Sequence, residues 1–226
     1  MKYLRLVSLA SLGLALFPAL APTAHGGVFD FVEDFSIANG NPNGAWSYGL
    51  ASTDFSTFTL FDHTTTAVNE LAPSITWHME NTAAGGIWKN LSPISGYSVA
   101  PGEVSLHPSF DLSPAVARWT APVGTSGSAA IQGVFGAGDL GTMSVAVRYN
   151  GIELWSAVDS GTFNLNVPVS AGDTVDFAVF NGYGFGNTPL AATINVVTAV
   201  PEPSSVAFVT GASLLVVALR RRGKTP

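Results

Sequence analysis

Acidic side chains recur in two tight groups along this chain: Asp30, Glu33 and Asp34, and further on Asp173 with Asp176. Glycoside hydrolysis needs no sequence motif, only two carboxyl groups about 5 to 10 Å apart across a cleft, so either group is a candidate pair. The competing reading is solvated surface and turn chemistry, because the first group lies beside the start of the folded part and the second at a turn and strand edge. His78 and Glu80 alternate on the outward face of ITWHME, and His107 precedes Pro108. Zinc would need these to converge with further ligands, and the spacing alone assigns no metal ligand. Calcium is the ion that the oxygen-rich turns would suit: GAGD at Asp139, AGDTVD at Asp173 and Asp176, and NGNPNG over Asn39 to Asn43. The same residues are ordinary turn formers. Zinc-protease HExxH, the G-x-S-x-G elbow, the P-loop and the dinucleotide fingerprint are all absent, so no catalytic residue is assigned.

Five tryptophans remain, and an indole face can stack on a sugar ring. Trp77 is in phase with Ile75 and Met79, which makes it core. Trp88 and Trp119 are ambiguous. Trp46 sits in a Gly/Asn-rich stretch, and Trp155 follows a hairpin whose register turns it outward, so Trp155 and Trp46 are the candidate glycan-stacking residues.

The elements that would position these residues are strands. From Val28 to Val197, Gly, Pro, Asn and Asp punctuate short period-two runs every eight to twelve residues, with no convincing amphipathic helix. In GTMSVAVRYNGIELWSAV, Asn150-Gly151 suits a type I′ turn, whose two central positions need positive φ. That turn pairs Tyr149 with Ile152, Val147 with Leu154 and Val145 with Ser156 on the core side. Arg148 then pairs with Glu153, and Ala146 with Trp155, on the outer side. TFNLNVPVSAGDTVDFAV reads as a second hairpin, with Phe163, Leu165, Val167, Val169, Val175, Phe177 and Val179 inward. PLAATINVV closes the fold with Ala192, Ile194 and Val196 inward; PSITWHME, SAAIQGVFG, WSYG and STFTLFD supply further strands. The expected fold is all-β, a jelly-roll-like antiparallel β-sandwich over residues 27–198.

Composition narrows the partners. Between Gly27 and Val200 there are 3 basic residues, Lys89, Arg118 and Arg148, against 14 acidic ones. Nucleic acid is excluded, since it demands clusters of Lys and Arg. No cysteine is present, which removes disulfides and thiolate metal sites and leaves stability to the core.

The two ends carry addresses. Residues 1–26 have a basic start (Lys2, Arg5), an apolar run from Leu6 to about Leu20 and small residues near Ala24 to Gly26, the pattern of a secretory signal peptide entering Sec export. Residues 199–226 have Val200-Pro201-Glu202-Pro203, an apolar helix from Ser204 to Leu219, and the cytoplasmic basic stop Arg220, Arg221 and Arg222. Sixteen residues make about 24 Å of helix at ~1.5 Å each, short of a ~30 Å hydrocarbon core. Pro201 and Pro203 hold the preceding segment extended, as a protease cleft requires.

In that order of parts the terminal 27 residues resemble the PEP-CTERM sorting tail of Gram-negative bacteria that make extracellular polysaccharide. The resemblance implies processing by an exosortase-like membrane protease and a place at the cell surface or in the extracellular matrix, after a transient stay in the inner membrane. The succession WSYG, IWKN, HPSF, VARWTAP, YNG, AGDTVDFAV and ATI is similar to an exported β-sandwich domain of planctomycete-type surface proteins, often beside carbohydrate-related modules. The expected function is therefore a non-catalytic surface or matrix protein with weak glycan binding and extracellular polysaccharide as a partner. The alternative is a secreted polysaccharide-active enzyme using a carboxylate pair.

Overall fold

The computed structural model describes residues 26–66, 73–80, 85–139 and 142–198. Residues 1–25 of the expected signal peptide, 1–26, lie outside the described residues. So does the expected sorting tail, with Val200, Pro201, Glu202, Pro203, the apolar segment and Arg220, Arg221 and Arg222.

Among the described residues the alternating runs form fourteen strands and one helical turn: β1 (Gly27–Asp30), α1 (Phe31–Asp34), β2 (Trp46–Ala51), β3 (Phe58–Leu60), β4 (His63–Thr65), β5 (Ser74–His78), β6 (Gly86–Asn90), β7 (Val104–His107), β8 (Ala115–Thr120), β9 (Ser126–Phe135), β10 (Ser144–Tyr149), β11 (Ile152–Val158), β12 (Gly161–Ser170), β13 (Thr174–Phe180) and β14 (Thr188–Thr198). They make an antiparallel β-sandwich. One sheet runs β12-β9-β14-β7-β6-β5-β4, with β1 also on β14; the other runs β11-β10-β13-β8-β2-β3.

The core is what alternation predicts. Trp46, Tyr48, Trp119, Val145, Val147 and Phe177 from the six-stranded sheet face Trp77, Ile87, Leu106, Ile131, Phe135 and Ile194 from the eight-stranded one, all buried. Ala192, Ile194 and Val196 point inward as expected, although β14 is central, between β9 on one edge and β7 and then β1 on the other.

The Asn150-Gly151 turn forms, with φ of 48° and 79°, and fixes the first two pairs, Tyr149 with Ile152 and Arg148 with Glu153. Arg148 Nη1 lies 3.5 Å from Glu153 Oε2. Beyond them the expected register fails. A bulge takes up Leu154, so Val147 faces Trp155 and Ala146 faces Ser156. One extra residue sends every later side chain of β11 to the other face, and Trp155 turns inward.

The second expected hairpin is also corrected. β12 pairs β9 over ten residues, from Gly161 with Phe135 to Ser170 with Ser126, while β13 pairs β8 and β10 in the other sheet. Residues 171–173 therefore arch between sheets. Their inward and outward faces are as alternation predicts, because a turn between layers preserves the alternation of each strand.

Asp173 organises that arch. Its Oδ2 accepts from the Ser170 amide at 2.7 Å and lies 2.8 Å from the Tyr149 hydroxyl; its Oδ1 accepts from Asn150 Nδ2 at 3.0 Å. The Ser170 amide, ahead of the two side chains, holds the carboxyl below its usual range. A depressed carboxyl contributes stability that is complete above the unfolded pKa, about 3.9, and lost as pH falls through the folded value. Asp173→Asn should accordingly flatten the fall of melting temperature below about pH 4, read by circular dichroism across an acid series. An unchanged acid limb would remove Asp173 from this role.

The sandwich has two distinct poles. β14 starts at Thr188, opposite Leu106, and ends at Thr198, opposite Gly127. β1 enters at the latter pole, with Gly27 opposite Val196. Gly27 and Thr198 therefore lie at one pole, with the arch 171–173 and the Asn150-Gly151 turn. At the other pole meet the loops 52–57, 108–114 and 181–187. Eleven residues of β14, about 36 Å at ~3.3 Å each, separate the two.

Candidate functional site

The loop pole gathers bulky apolar side chains that the core does not absorb. Phe110 is 71% exposed, Phe185 63% and Leu112 51%. The Tyr183 ring stands edge-on to Phe110 at 5.1 Å between centroids and edge-on to His107 at 5.5 Å. These come from two loops far apart in sequence, brought together because β7 and β14 pair at their ends.

Three of the apolar residues at this pole have left-handed backbones: Phe55 at φ 60°, Leu112 at 68° and Phe185 at 59°. For bulky non-glycine residues this conformation is costly, of order 1 to 3 kcal/mol each, and persists only where surroundings impose it. Local bonds do so. The Leu112 amide donates to the Ser109 carbonyl at 2.9 Å and the Phe55 amide to the Ser52 carbonyl at 2.8 Å. Asp54 Oδ1 accepts from Ser52 Oγ, Ser56 Oγ and the Ser56 amide, at 2.6, 2.7 and 3.0 Å. These bonds, the Ser52 hydroxyl first, pull the Asp54 carboxyl down to about 2.

Beneath the ridge lies a polar ladder. Trp88 Nε1 donates to Asn187 Oδ1 at 2.8 Å, and Asn187 Nδ2 donates to Asp139 Oδ2 at 3.1 Å. His107 Nδ1 donates to the Pro108 carbonyl at 2.7 Å, and burial lowers its pKa. At the same pole a shallow pocket of about 200 Å³ is lined by Thr53, Leu112, Pro114, Phe180, Asn181 and Gly182, with residues from all three loops. Exposed rings beside amide and carboxylate groups can hold an amphipathic ligand by stacking and hydrogen bonding.

A larger groove of about 570 Å³ crosses the outer face of the eight-stranded sheet where β14 exchanges β1 for β7. It has Asp30, Glu33 and Glu103 at its margins and Val134, Pro189 and Ala191 on its floor, with no aromatic lining. Two of its carboxylates serve the backbone. Asp30 Oδ1 caps α1, accepting from Val32 and Glu33 amides at 3.0 and 3.1 Å, and Glu103 Oε2 accepts from the Ala100 amide at 2.7 Å.

The candidate stacking residues are corrected. Trp46 is 1% exposed, in β2 instead of a loop, packed on Phe31 at 5.4 Å and Phe177 at 6.1 Å. Trp155 is half-buried, stacked on Phe135 at 6.0 Å and 3° between planes and tilted against Phe163 at 5.5 Å. It closes the open side of the sandwich. A Cβ on Gly161 would lie 2.8 Å from its ring, so a glycine is needed there.

Most of the candidate acidic residues are engaged by the fold. Asp34 Oδ2 accepts from Trp46 Nε1 and the Asp30 amide, both at 3.1 Å. Asp173 holds the arch, whereas Asp176 pairs with Arg118 on the outer face of the six-stranded sheet. Of the calcium candidates, Asn41 bonds the Tyr48 and Phe61 backbone, and Asp139 bonds Asn187. Trp77 is core at 5% exposure, Trp119 is fully buried, and Trp88 lies under the 91–103 loop against Val99. Sequence reasoning missed Phe110, Tyr183 and Phe185. The signal was present in NGYGFGN, where aromatic residues sit between glycines with no strand periodicity to bury them.

No family model matches the chain, and no curated protein matches it. Among solved structures it is similar to a family 35 carbohydrate binding module from an environmental isolate, at 16% identity over 52% of this chain and 90% of that one, TM-score 0.33. It is also similar to a family 35 module from Clostridium thermocellum, at 10% identity over 68% and 99%, TM-score 0.29. Pika GITRL matches at 16% identity over 38% and 79%, TM-score 0.28. At these scores no residue or ligand is carried across.

Proposed function

We propose that this chain is an exported, non-catalytic surface or matrix protein, a jelly-roll-like sandwich that meets extracellular polysaccharide through the ridge of Phe110, Tyr183 and Phe185. The observation that carries the reading is the placement of that ridge. It lies at the pole opposite Thr198, the last described residue before the expected sorting tail. Signal peptide and tail serve delivery: Sec export at one end, and exosortase-like processing at Pro201-Glu202-Pro203 at the other. An acidic body with few basic side chains favours neutral glycans over polyanionic ones. The engagement of Asp30 and Glu103 with backbone amides, of Asp34 with Trp46 and of Asp176 with Arg118 weighs against the alternative, a hydrolase.

The test has two arms. Residues 26–198 should be retarded in gels containing neutral polysaccharides, and Phe110→Ala or Tyr183→Ala should weaken binding about tenfold or more, as loss of an interface aromatic does. Hydrolysis of any of these glycans, abolished by Glu33→Gln, would replace the binding reading with the enzymatic one. Chain recovered from the cell surface should be shorter by mass than the same chain carrying Pro201→Ala and Pro203→Ala. Equal masses would defeat the processing step.

A further inference from the structure

We propose that His63, His78 and Glu80 form a surface site for a borderline divalent metal ion, Zn²⁺ above all. The β4–β5 ladder sets His63 directly opposite His78, with ring centroids 6.1 Å apart. Glu80 follows two residues after His78, and its Oε1 lies 3.7 Å from His63 Nε2. Neighbouring donors around a tetrahedral ion with bonds of ~2.1 Å stand about 3.4 Å apart, so this pair is already near ligand spacing.

Each imidazole also has its Nδ1 held by an oxygen. His63 Nδ1 lies 2.8 Å from Asp62 Oδ1, and His78 Nδ1 lies 2.9 Å from the Met79 carbonyl. Both neighbours are acceptors, so in the neutral rings both Nδ1 atoms carry the proton and both Nε2 atoms keep a lone pair. A second oxygen that fixes the tautomer in this way is the usual outer support of a metal-binding histidine. His78 Nε2 is buried and has no hydrogen-bond partner, an orphaned acceptor that a metal would satisfy. Glu80 is 66% exposed and free to close the set. As their side chains stand, no three His, Cys, Asp or Glu residues among the described residues could hold a metal ion; this set would do so only after Glu80 and the His78 ring move inward together. Two imidazoles and one carboxylate suit zinc better than calcium or magnesium, and leave a fourth position for water. His107, the other histidine of the folded part, takes no share, being packed against Tyr183 at the loop pole.

The full-length chain, without an affinity tag, held in detergent and stripped with chelator, should take up one equivalent of Zn²⁺ by calorimetry and melt at a higher temperature with it. His63→Ala and His78→Ala should each weaken uptake at least about tenfold, and Asp62→Asn about tenfold through the lost support of the His63 ring. His107→Ala should bind as the parent does. Glu80→Gln changes an exposed side chain and leaves the fold intact, so it must also weaken binding. No uptake by the parent, or uptake undiminished in both His63→Ala and Glu80→Gln, overturns the site.

Discussion

Trp46→Ala is expected to cost about 4 kcal/mol of folding stability, in the range for truncating a fully buried indole. The ring is 1% exposed, sits opposite Trp119 across the β2–β8 ladder, and packs on Phe31 and Phe177. It thus ties the helical turn α1 to the inner face of the six-stranded sheet. Truncation leaves a cavity between rigid rings that cannot collapse into it, and removes the donor 3.1 Å from Asp34 Oδ2. Trp46→Phe keeps most of the volume and loses that donor, and should cost about 1.5 kcal/mol. Urea denaturation with an unchanged m-value reads both. Polysaccharide retardation, where the variant is still folded, should be that of the parent. A cost under about 1 kcal/mol together with lost retardation would restore Trp46 as a surface platform and displace the aromatic ridge.

Local chemistry was legible in the sequence and sheet membership was not. Asn150-Gly151 could be read because a two-residue turn with two positive φ values has few solutions, and the first two pairs followed from it. Trp155 could not, because the bulge at Leu154 is a response to tertiary packing: it brings the indole onto Phe135. The inward residues of β12 and β13 were right and their partnership was wrong, since alternation records which face is buried and is silent on whether the next strand is in the same sheet. The ridge depends on the pairing of β7 with β14, which brings Phe110 to Tyr183. Nothing within either loop encodes that meeting. His63 was passed over for the same reason, since only the ladder shows it to be the neighbour of His78.

Removing one partner of the Arg118–Asp176 pair should cost more from the arginine side than from the aspartate side. Asp176 is 4% exposed and accepts two bonds from one guanidinium, Nε at 2.6 Å and Nη2 at 2.8 Å. The Arg118 side chain is 28% exposed against 6% for its partner, so after Asp176→Ala it can turn toward water. Asp176 cannot. Arg118→Ala leaves a buried carboxylate, and the nearest cross-strand cation, Arg148, is held by the Gly151 carbonyl at 2.6 Å, by Glu153 and by stacking on Phe55 at 4.3 Å. Losses of about 3 kcal/mol for Asp176→Ala and about 4 for Arg118→Ala follow from the range for broken buried pairs. Denaturation at low and high salt should give the same order, because a pair this enclosed is little screened. The reverse order, or losses below about 1 kcal/mol, would mean that the carboxylate is hydrated. The consequence reaches the loop pole. Arg118 lies 4.2 Å over the Phe58 ring and Arg148 over Phe55, so the two guanidiniums hold the middle of the 52–57 loop and the residue that follows it to the sheet. That loop supplies Thr53 to the shallow pocket, and Phe55 packs on Phe180 at 5.3 Å. Arg118→Ala should therefore weaken polysaccharide retardation under conditions where the domain remains folded, although Arg118 itself lies outside the ridge.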